Sequence, residues 1–365
     1  MSEQQSAEAS IEALRRSIDE TDAELFELIE KRARLAGSIG RLKGGAPVYR
    51  PEREREILEL AVKRAHERES VLSDESVRTL VREIVSACRA VEAKPRTAFL
   101  GPRGTFTEEA VVRQFGSSCD MRPCASIDEV FREVASEAAD YAVVPVENST
   151  EGVVTRTADL LMTTPLTVIA EVHVPVHHNL MNRSGSLEDI REVHAHPQAL
   201  AQCRGWLSMH LPQAKLVSSS SNAQAAKEAA ADPATAALAA ERAASLYELK
   251  IVAPALEDDP RNTTRFLVLG RTAARRARGV AHKTSLIFSV PNRAGALLEA
   301  LEPFSRHGVS MMRLESRPAR NGYWDYNFYA DIEGHIEDEA VAAALAELRG
   351  IAPYIKILGS YAAAL

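Results

Sequence analysis

Apolar residues at Ile11, Leu14, Ile18, Leu25, Leu28, Ile29, Leu35, Ile39 and Leu42 recur at intervals that keep them on one helical face. The spacing predicts a helix over 10–43, with Ser10 placed to cap its start and Gly44-Gly45 to end it. Two further amphipathic stretches predict helices over 51–68 and 73–92, the second opened by Ser73-Asp74-Glu75-Ser76. After Lys94-Pro95-Arg96 the pattern changes. Short apolar runs at 97–100, 141–146 and 166–174 read as strands, and 108–115 and 127–136 as helices between them. This alternation argues for a parallel sheet. Further helices are expected over 199–210 and from 223 to about 231, and Leu267-Val268-Leu269 reads as a closing strand. Arg271 to Arg278 holds four arginines among small residues and reads as a solvated linker. Beyond it come strand 284–290, helix 297–307, strands 309–317 and 323–331, helix 337–349 and strand 354–358. That β-α-β-β-α-β order is a ferredoxin-like α+β sandwich.

The chain is therefore multidomain, with expected divisions at 1–94, 97–272 and 283–365. Its 365 residues exceed one usual core, which agrees. A first helix of about 33 residues would be about 50 Å long, more than a small three-helix domain covers. Its apolar stripe is expected to pack on a second copy as an intertwined dimer. A homodimer or higher homo-oligomer follows.

Composition and charge remove several function classes. With 45% hydrophobic and 26% charged residues the chain is ordinary for a globular protein. A net charge of −7 argues against nucleic-acid binding and leaves room for local basic clusters that hold a small acid. No apolar run suits a membrane span, and Met1-Ser2-Glu3-Gln4-Gln5 has no signal-peptide pattern. Cys88, Cys119, Cys124 and Cys203 lack zinc-site spacing and read as thiols in a reducing cytoplasm. His177, His178, His194 and His196 read as polar loop or core histidines, so no metal is expected.

Candidate chemistry begins with cations. Arg32 and Lys43 lie three turns apart on one face, about 16 Å along the axis, and could hold a small dianion between them. Arg15 is about 25 Å from Arg32 along the same helix, too far to reach that ligand. If it joins the site, it comes from a second chain. Leu14-Arg15, Glu30-Lys31-Arg32, Gly40-Arg41-Leu42-Lys43 and Tyr49-Arg50-Pro51-Glu52-Arg53-Glu54 resemble the all-helical chorismate mutases. The resemblance implies rearrangement of chorismate to prephenate. That reaction needs two carboxylates clamped and a donor at the breaking ether oxygen. By position, Arg15 of the partner subunit and Arg32 match the clamps, Lys43 the ether donor, and Arg53 and Glu54 the ring end. Cys88 and Glu92 stand where the best-known bacterial pattern has Ser and Gln. Glu92 donates only when protonated, so a mutase favouring mildly acid pH, or a Glu92 pKa raised by burial, is expected.

In the middle region, Gly101-Pro102-Arg103-Gly104-Thr105-Phe106-Thr107 joins strand to helix and offers backbone N–H groups to an anion. It lacks the Lys-Ser/Thr of a nucleotide phosphate loop. Ser218-Ser219-Ser220-Ser221-Asn222 is an N-cap cluster or a second anion mouth. These stretches, Val-Pro-Val-Glu-Asn-Ser-Thr-Glu-Gly at 144–152, His-Pro-Gln-Ala-Leu-Ala-Gln-Cys at 196–203 and Asn-Thr-Thr-Arg-Phe at 262–266 occur in the order found in prephenate dehydratases. The resemblance implies two α/β lobes similar to periplasmic-binding-protein folds, the chain returning to the first lobe near the end. It also implies loss of carboxylate and ring hydroxyl to give phenylpyruvate, with no cofactor. Thr264 matches the catalytic threonine, and Thr105, Glu147, Asn148, Ser149, Ser221 and Asn222 are the expected binding residues. A threonine hydroxyl is a poor acid, so Thr264 relays or hydrogen-bonds rather than supplying a free proton.

At the C-terminal end, Asn292, Gly295-Ala296-Leu297 and Glu315-Ser316-Arg317 resemble the paired motifs of amino-acid-binding ACT domains. Feedback inhibition by L-phenylalanine bound between two such modules is implied. Two alternatives stand beside this reading: arogenate as the dehydratase substrate, and a non-catalytic amino-acid sensor.

Overall fold

The computed structural model describes residues 3–43, 47–318 and 326–364. Gly44-Gly45 and the first residues of the strand expected over 323–331 lie outside them. The chain divides into two compact units that are not sequential. The smaller comprises residues 1–50, 57–95 and 115–119, and the larger comprises 51–56, 96–114 and 120–365.

The smaller unit is helical. α1 (Glu3–Lys43) starts earlier than its pattern suggests. Ser10 is therefore inside the helix and does not cap it, because the polar residues before it continue the turns. α2 (Pro51–Glu67) opens with proline in its first turn, where no N–H is needed. α3 (Asp74–Glu92) is capped by the Ser73 hydroxyl, which accepts the Ser76 N–H at 3.2 Å. Leu58, Val62, Val77, Val85 and Cys88 are buried, whereas no described residue of α1 is. Leu14, Ile18, Leu28 and Leu35 are more than half exposed along a helix about 60 Å long.

In the larger unit the first lobe begins with β1 (Arg96–Leu100), α4 (Phe106–Phe115), β2 (Asp120–Cys124), α5 (Ile127–Ala135), β3 (Tyr141–Asn148), β4 (Gly152–Val153), α6 (Thr155–Thr163) and β5 (Thr167–Pro175). The second lobe holds β6 (Asn179–Asn182), β7 (Glu192–Ala195), α7 (Pro197–Gln202), α8 (Arg204–His210), β8 (Lys215–Ser218), α9 (Asn222–Ala231), β9 (Thr235–Ala239), α10 (Glu241–Tyr247) and β10 (Lys250–Ala253). Its sheet order is β10-β6-β9-β7-β8. β11 (Thr263–Gly270) returns to the first lobe, whose order is β2-β1-β3-β11-β5 with β4 on β3. The expected parallel sheet is thus mixed. β1 pairs parallel with β2 and β3, while the returning β11 lies antiparallel between β3 and β5. The expected helix 199–210 is two helices that meet at Cys203.

The third module runs β12 (His282–Val290), α11 (Ala296–Arg306), β13 (Met311–Pro318), β14 (Tyr326–Glu333), α12 (Glu339–Ile351) and β15 (Tyr354–Ala362), with antiparallel order β13-β14-β12-β15. Both faces of its sheet are covered. Leu286 and Phe288 pack under α11 and α12 with Phe304 and Leu345. The alternate Ile287, with Tyr329, Leu358 and Tyr361, shares a core with Val168, Leu267 and Leu269 of the first lobe. β15 comes so close to β5 that a Cβ on Gly359 would sit 2.0 Å from the Val168 carbonyl oxygen. Nor is the arginine-rich stretch merely solvated. Arg271 donates to the Val134 and Ala139 carbonyls at 3.0 and 2.8 Å, and Arg276 pairs with Asp338 at 2.6 Å. Among the described residues no helix is long and apolar enough to cross a membrane.

Candidate active sites

A cavity of about 220 Å³ lies between the two lobes of the larger unit. Thr105, Asn148 and Thr264 reach it from the first lobe, and Ser221 and Asn222 from the second. Thr105 immediately precedes α4, and its hydroxyl accepts the Glu108 N–H at 3.4 Å. Ser221 caps α9 by accepting the Gln224 N–H at 3.0 Å. Two helix N-termini thus open on the cavity, each favouring negative charge. No lysine or arginine is among the described residues that line it.

The centre is fixed by one amide. Asn148 ends β3 and stands opposite Thr264 in the β3–β11 register. Its Oδ1 accepts the Thr150 and Glu151 N–H groups at 3.0 and 3.1 Å. That sets the amide orientation, so Nδ2 donates to Asn262 Oδ1 and to Thr264 Oγ1, both at 2.8 Å. Because Thr264 Oγ1 accepts, the hydroxyl hydrogen is the donor left for a ligand. The chain continues from Asn262 Nδ2 to Gln202 Oε1 at 3.1 Å, and His178 Nε2 meets the same oxygen at 2.9 Å. An amide oxygen only accepts, so His178 carries its proton on Nε2. Burial pushes its pKa down, which keeps the ring neutral. Gln202 Nε2 is buried beside the cavity with no hydrogen-bond partner among the described residues, a second donor for a ligand.

Two expected binding residues lie elsewhere. Glu147 faces away from Asn148, as consecutive strand residues do, and its Oε2 takes Arg313 Nε of β13 at 2.9 Å. Ser149 ties the turn to β11, its Oγ accepting the Thr263 N–H at 3.0 Å. Conversely, His178, His196, Gln198, Gln202 and Asn262 line the cavity although sequence reading did not select them. Asn262 and Gln202 sit inside quoted motifs, and side-chain amides at both ends of one hydrogen-bonded chain were the available signal. His177 and His194 are engaged by carboxylates, Glu257 at 2.6 Å and Glu228 at 2.8 Å. Among the described residues no cluster is arranged to hold a metal ion.

In the helical unit, Lys43 Nζ donates to both Glu92 carboxylate oxygens, at 3.2 and 3.3 Å. The approach of α1 to α3 requires Gly40, where a Cβ would lie 2.4 Å from Glu92 Cγ. Cys88 is buried one turn before Glu92 on α3. Arg32 is half-buried, whereas Arg15 is exposed and 3.6 Å from Glu12. In the 51–56 segment, which belongs to the larger unit, Arg53 is exposed and pairs with Glu56 of its own helix at 3.3 Å, and Glu54 is half-buried.

In the third module, Gly295 has φ 81°, a left-handed conformation that suits glycine, and caps α11. Asn292 and Ser316 are exposed, Leu297 and Glu315 half-buried and Ala296 buried. Arg317 turns to the first lobe, 3.3 Å from Asp159 and 3.3 Å from the Thr155 carbonyl of α6.

Three family descriptions match the chain: chorismate mutase type II over residues 14–93, prephenate dehydratase over 97–274 and the ACT domain over 284–350. A bifunctional chorismate mutase/prephenate dehydratase of Neisseria gonorrhoeae is 46% identical over 351 residues, 95% of each chain. One from Aquifex aeolicus is 41% identical and covers 97% of this chain and 98% of its own. Among solved structures, prephenate dehydratase from Arthrobacter aurescens in complex with L-Phe is 39% identical with a TM-score of 0.68, covering 73% of this chain and 89% of that one.

Proposed function

We propose, from the premise that the chain belongs to the family of bifunctional chorismate mutase/prephenate dehydratases, a division of labour among its named residues. In the dehydratase, the N-termini of α4 and α9 receive the two carboxylates of prephenate. The Thr264 hydroxyl donates to the departing ring hydroxyl. The C–C bond to the ring carboxylate and the C–O bond break, and the first electron pair aromatises the ring. CO₂ leaves, and the hydroxide takes up a proton and departs as water. Solvent supplies that proton, since the neutral His178 ring is a poor acid under these conditions. The observation that carries this reading is the fully used Asn148 amide, which leaves the Thr264 hydroxyl hydrogen as the donor to the ligand.

In the mutase, Lys43 serves the ether oxygen with Glu92 beside it, Arg32 clamps one carboxylate and the partner subunit's Arg15 the other. The dimer this requires is supported by the exposed apolar stripe of α1, where Leu14, Ile18, Leu28 and Leu35 are more than half exposed. L-phenylalanine is proposed as effector at Asn292, Gly295–Leu297 and Glu315–Arg317 of paired third modules, supported by the L-Phe complex of the Arthrobacter relative. A cytoplasmic location, with no cofactor, fits these substrates.

Replacement of Thr264 by Val tests the dehydratase centre. Dehydratase kcat should fall by about 10²–10³, the scale of removing one transition-state donor, with mutase turnover unchanged. Near-wild-type phenylpyruvate formation from prephenate would remove Thr264 from the mechanism.

A further inference from the structure

Two adjacent rungs of the β3–β11 ladder differ in what they face. On one rung Asn148 and Thr264 meet over the cavity; on the next, Glu147 and Arg265 point to the opposite face. That opposite face is the third module. Arg313 Nε of β13 donates to Glu147 at 2.9 Å, and Arg265 Nη1 is 3.9 Å from the same carboxylate. Arg265 also binds Glu171 of β5 at 2.7 Å, the Asp331 carboxylate of β14, and the Tyr361 hydroxyl of β15 at 3.1 Å. Lys283 of β12 completes the set on Glu171 at 2.7 Å. Both residues that flank the catalytic hydrogen bond are therefore anchored in a different module from the one that binds substrate.

We propose that Glu147 is a positioning residue of the dehydratase, and that its ion pair with Arg313 transmits the state of β13 to the Asn148–Thr264 pair. Arg313 lies two residues before Glu315 on the same strand face, so a ligand that shifts β13 moves the Arg313 guanidinium. Glu147 follows its partner, and the backbone it shares with Asn148 alters the 2.8 Å contact to Thr264. Such a contact has two discrete arrangements, formed and broken, which effector and substrate bias in opposite directions. The regulatory half of this proposal rests on the phenylalanine reading above; the positioning half does not.

A double-mutant cycle on the full chain tests it, with Glu147→Gln, Arg313→Gln and the pair. Each single substitution is expected to lower dehydratase kcat about tenfold with KM for prephenate nearly unchanged, and the double to be no worse than either. Arg313→Lys should restore part of the loss. Arg313→Gln should still bind phenylalanine by calorimetry yet lose most of its inhibition. Lys356→Gln is the control. It removes three carbonyl contacts to the end of α6, at 2.8, 3.2 and 2.6 Å, without touching Glu147. It should lower Tm and leave kcat alone. Losses that multiply in the double variant, or a Lys356→Gln loss equal to that of Arg313→Gln, would overturn the positioning role. Retained inhibition in Arg313→Gln would overturn the transmission. A wild-type chain that neither binds nor responds to phenylalanine would instead remove the effector reading, and the kcat cycle would still decide the role of Glu147.

Discussion

Asn148 uses both lone pairs of its oxygen and both amide hydrogens, and that completeness is what makes Thr264 a donor rather than one more turn hydroxyl. Motif order was enough to select both residues from the sequence. Glu147 was selected with them because adjacent letters in a motif look alike, whereas adjacent residues in a strand face opposite ways. Gln202 escaped for the converse reason: it is distant in sequence and meets the Asn148–Thr264 pair through Asn262. In the mutase the informative residue is Glu92. A glutamine there donates at any pH, whereas a carboxyl group donates only when protonated, and Lys43 occupies both of its oxygens in the free protein. If Glu92 donates in the mutase, the activity is expected to favour mildly acid pH and Glu92→Gln to flatten that dependence, read as kcat/KM for chorismate across pH 5–8. An unchanged profile would take Glu92 out of proton donation.

At the level of elements, the long amphipathic helices and the C-terminal β-α-β-β-α-β order were legible because their periodicity extends over many residues. The second lobe was not. β6, β7, β8 and β10 have four residues each, too short for alternation to stand out, and β9 is a uniformly buried Thr-Ala-Ala-Leu-Ala run. The third module's sheet hid a second interface in plain view. Leu286-Ile287-Phe288 is a continuous apolar run, as expected of a strand covered on both faces. On the face toward the first lobe sits a charge cluster in which Glu171 is almost wholly buried. Burial alone would raise the Glu171 pKa, but the Arg265 and Lys283 charges outweigh it and hold the group below its ordinary 4.5; Asp331 is likewise held low, chiefly by Arg265 against burial. A carboxyl lowered on folding stabilises the protein above its unfolded pKa, and that contribution disappears as pH falls through the folded value. Lys283→Met should therefore cost about 3 kcal/mol at pH 7 in denaturant unfolding. The gap from wild type should narrow as pH drops below 4.5. A constant gap would mean that the lysine acts through packing rather than charge.

For the whole molecule, the pattern raised the expectation of a second copy, and α1, which runs from Glu3 to Lys43 with none of its described residues buried, leaves Leu14, Ile18, Leu28 and Leu35 exposed for one to cover. What no pattern in one chain conveyed is how closely the third module is joined to the first lobe. The third is built into the first lobe through a common core, so an effector there acts on a continuous solid rather than across a tether. The unbroken α1 has a consequence of another kind, in genetics. In the proposed dimer, a rod that holds Arg15 about 25 Å from Arg32 would distribute each mutase site over two polypeptides. Lesions at Arg15 and at Lys43 should then complement each other. When equal amounts of inactive Arg15→Ala and Lys43→Ala chains are unfolded and reassembled together, half the dimers are mixed. Each mixed dimer has one site with both lesions and one with neither, so about a quarter of wild-type mutase activity should return. Each variant reassembled alone should stay silent. A mixture as inactive as its parents would place Arg15 and Lys43 in the same chain's site.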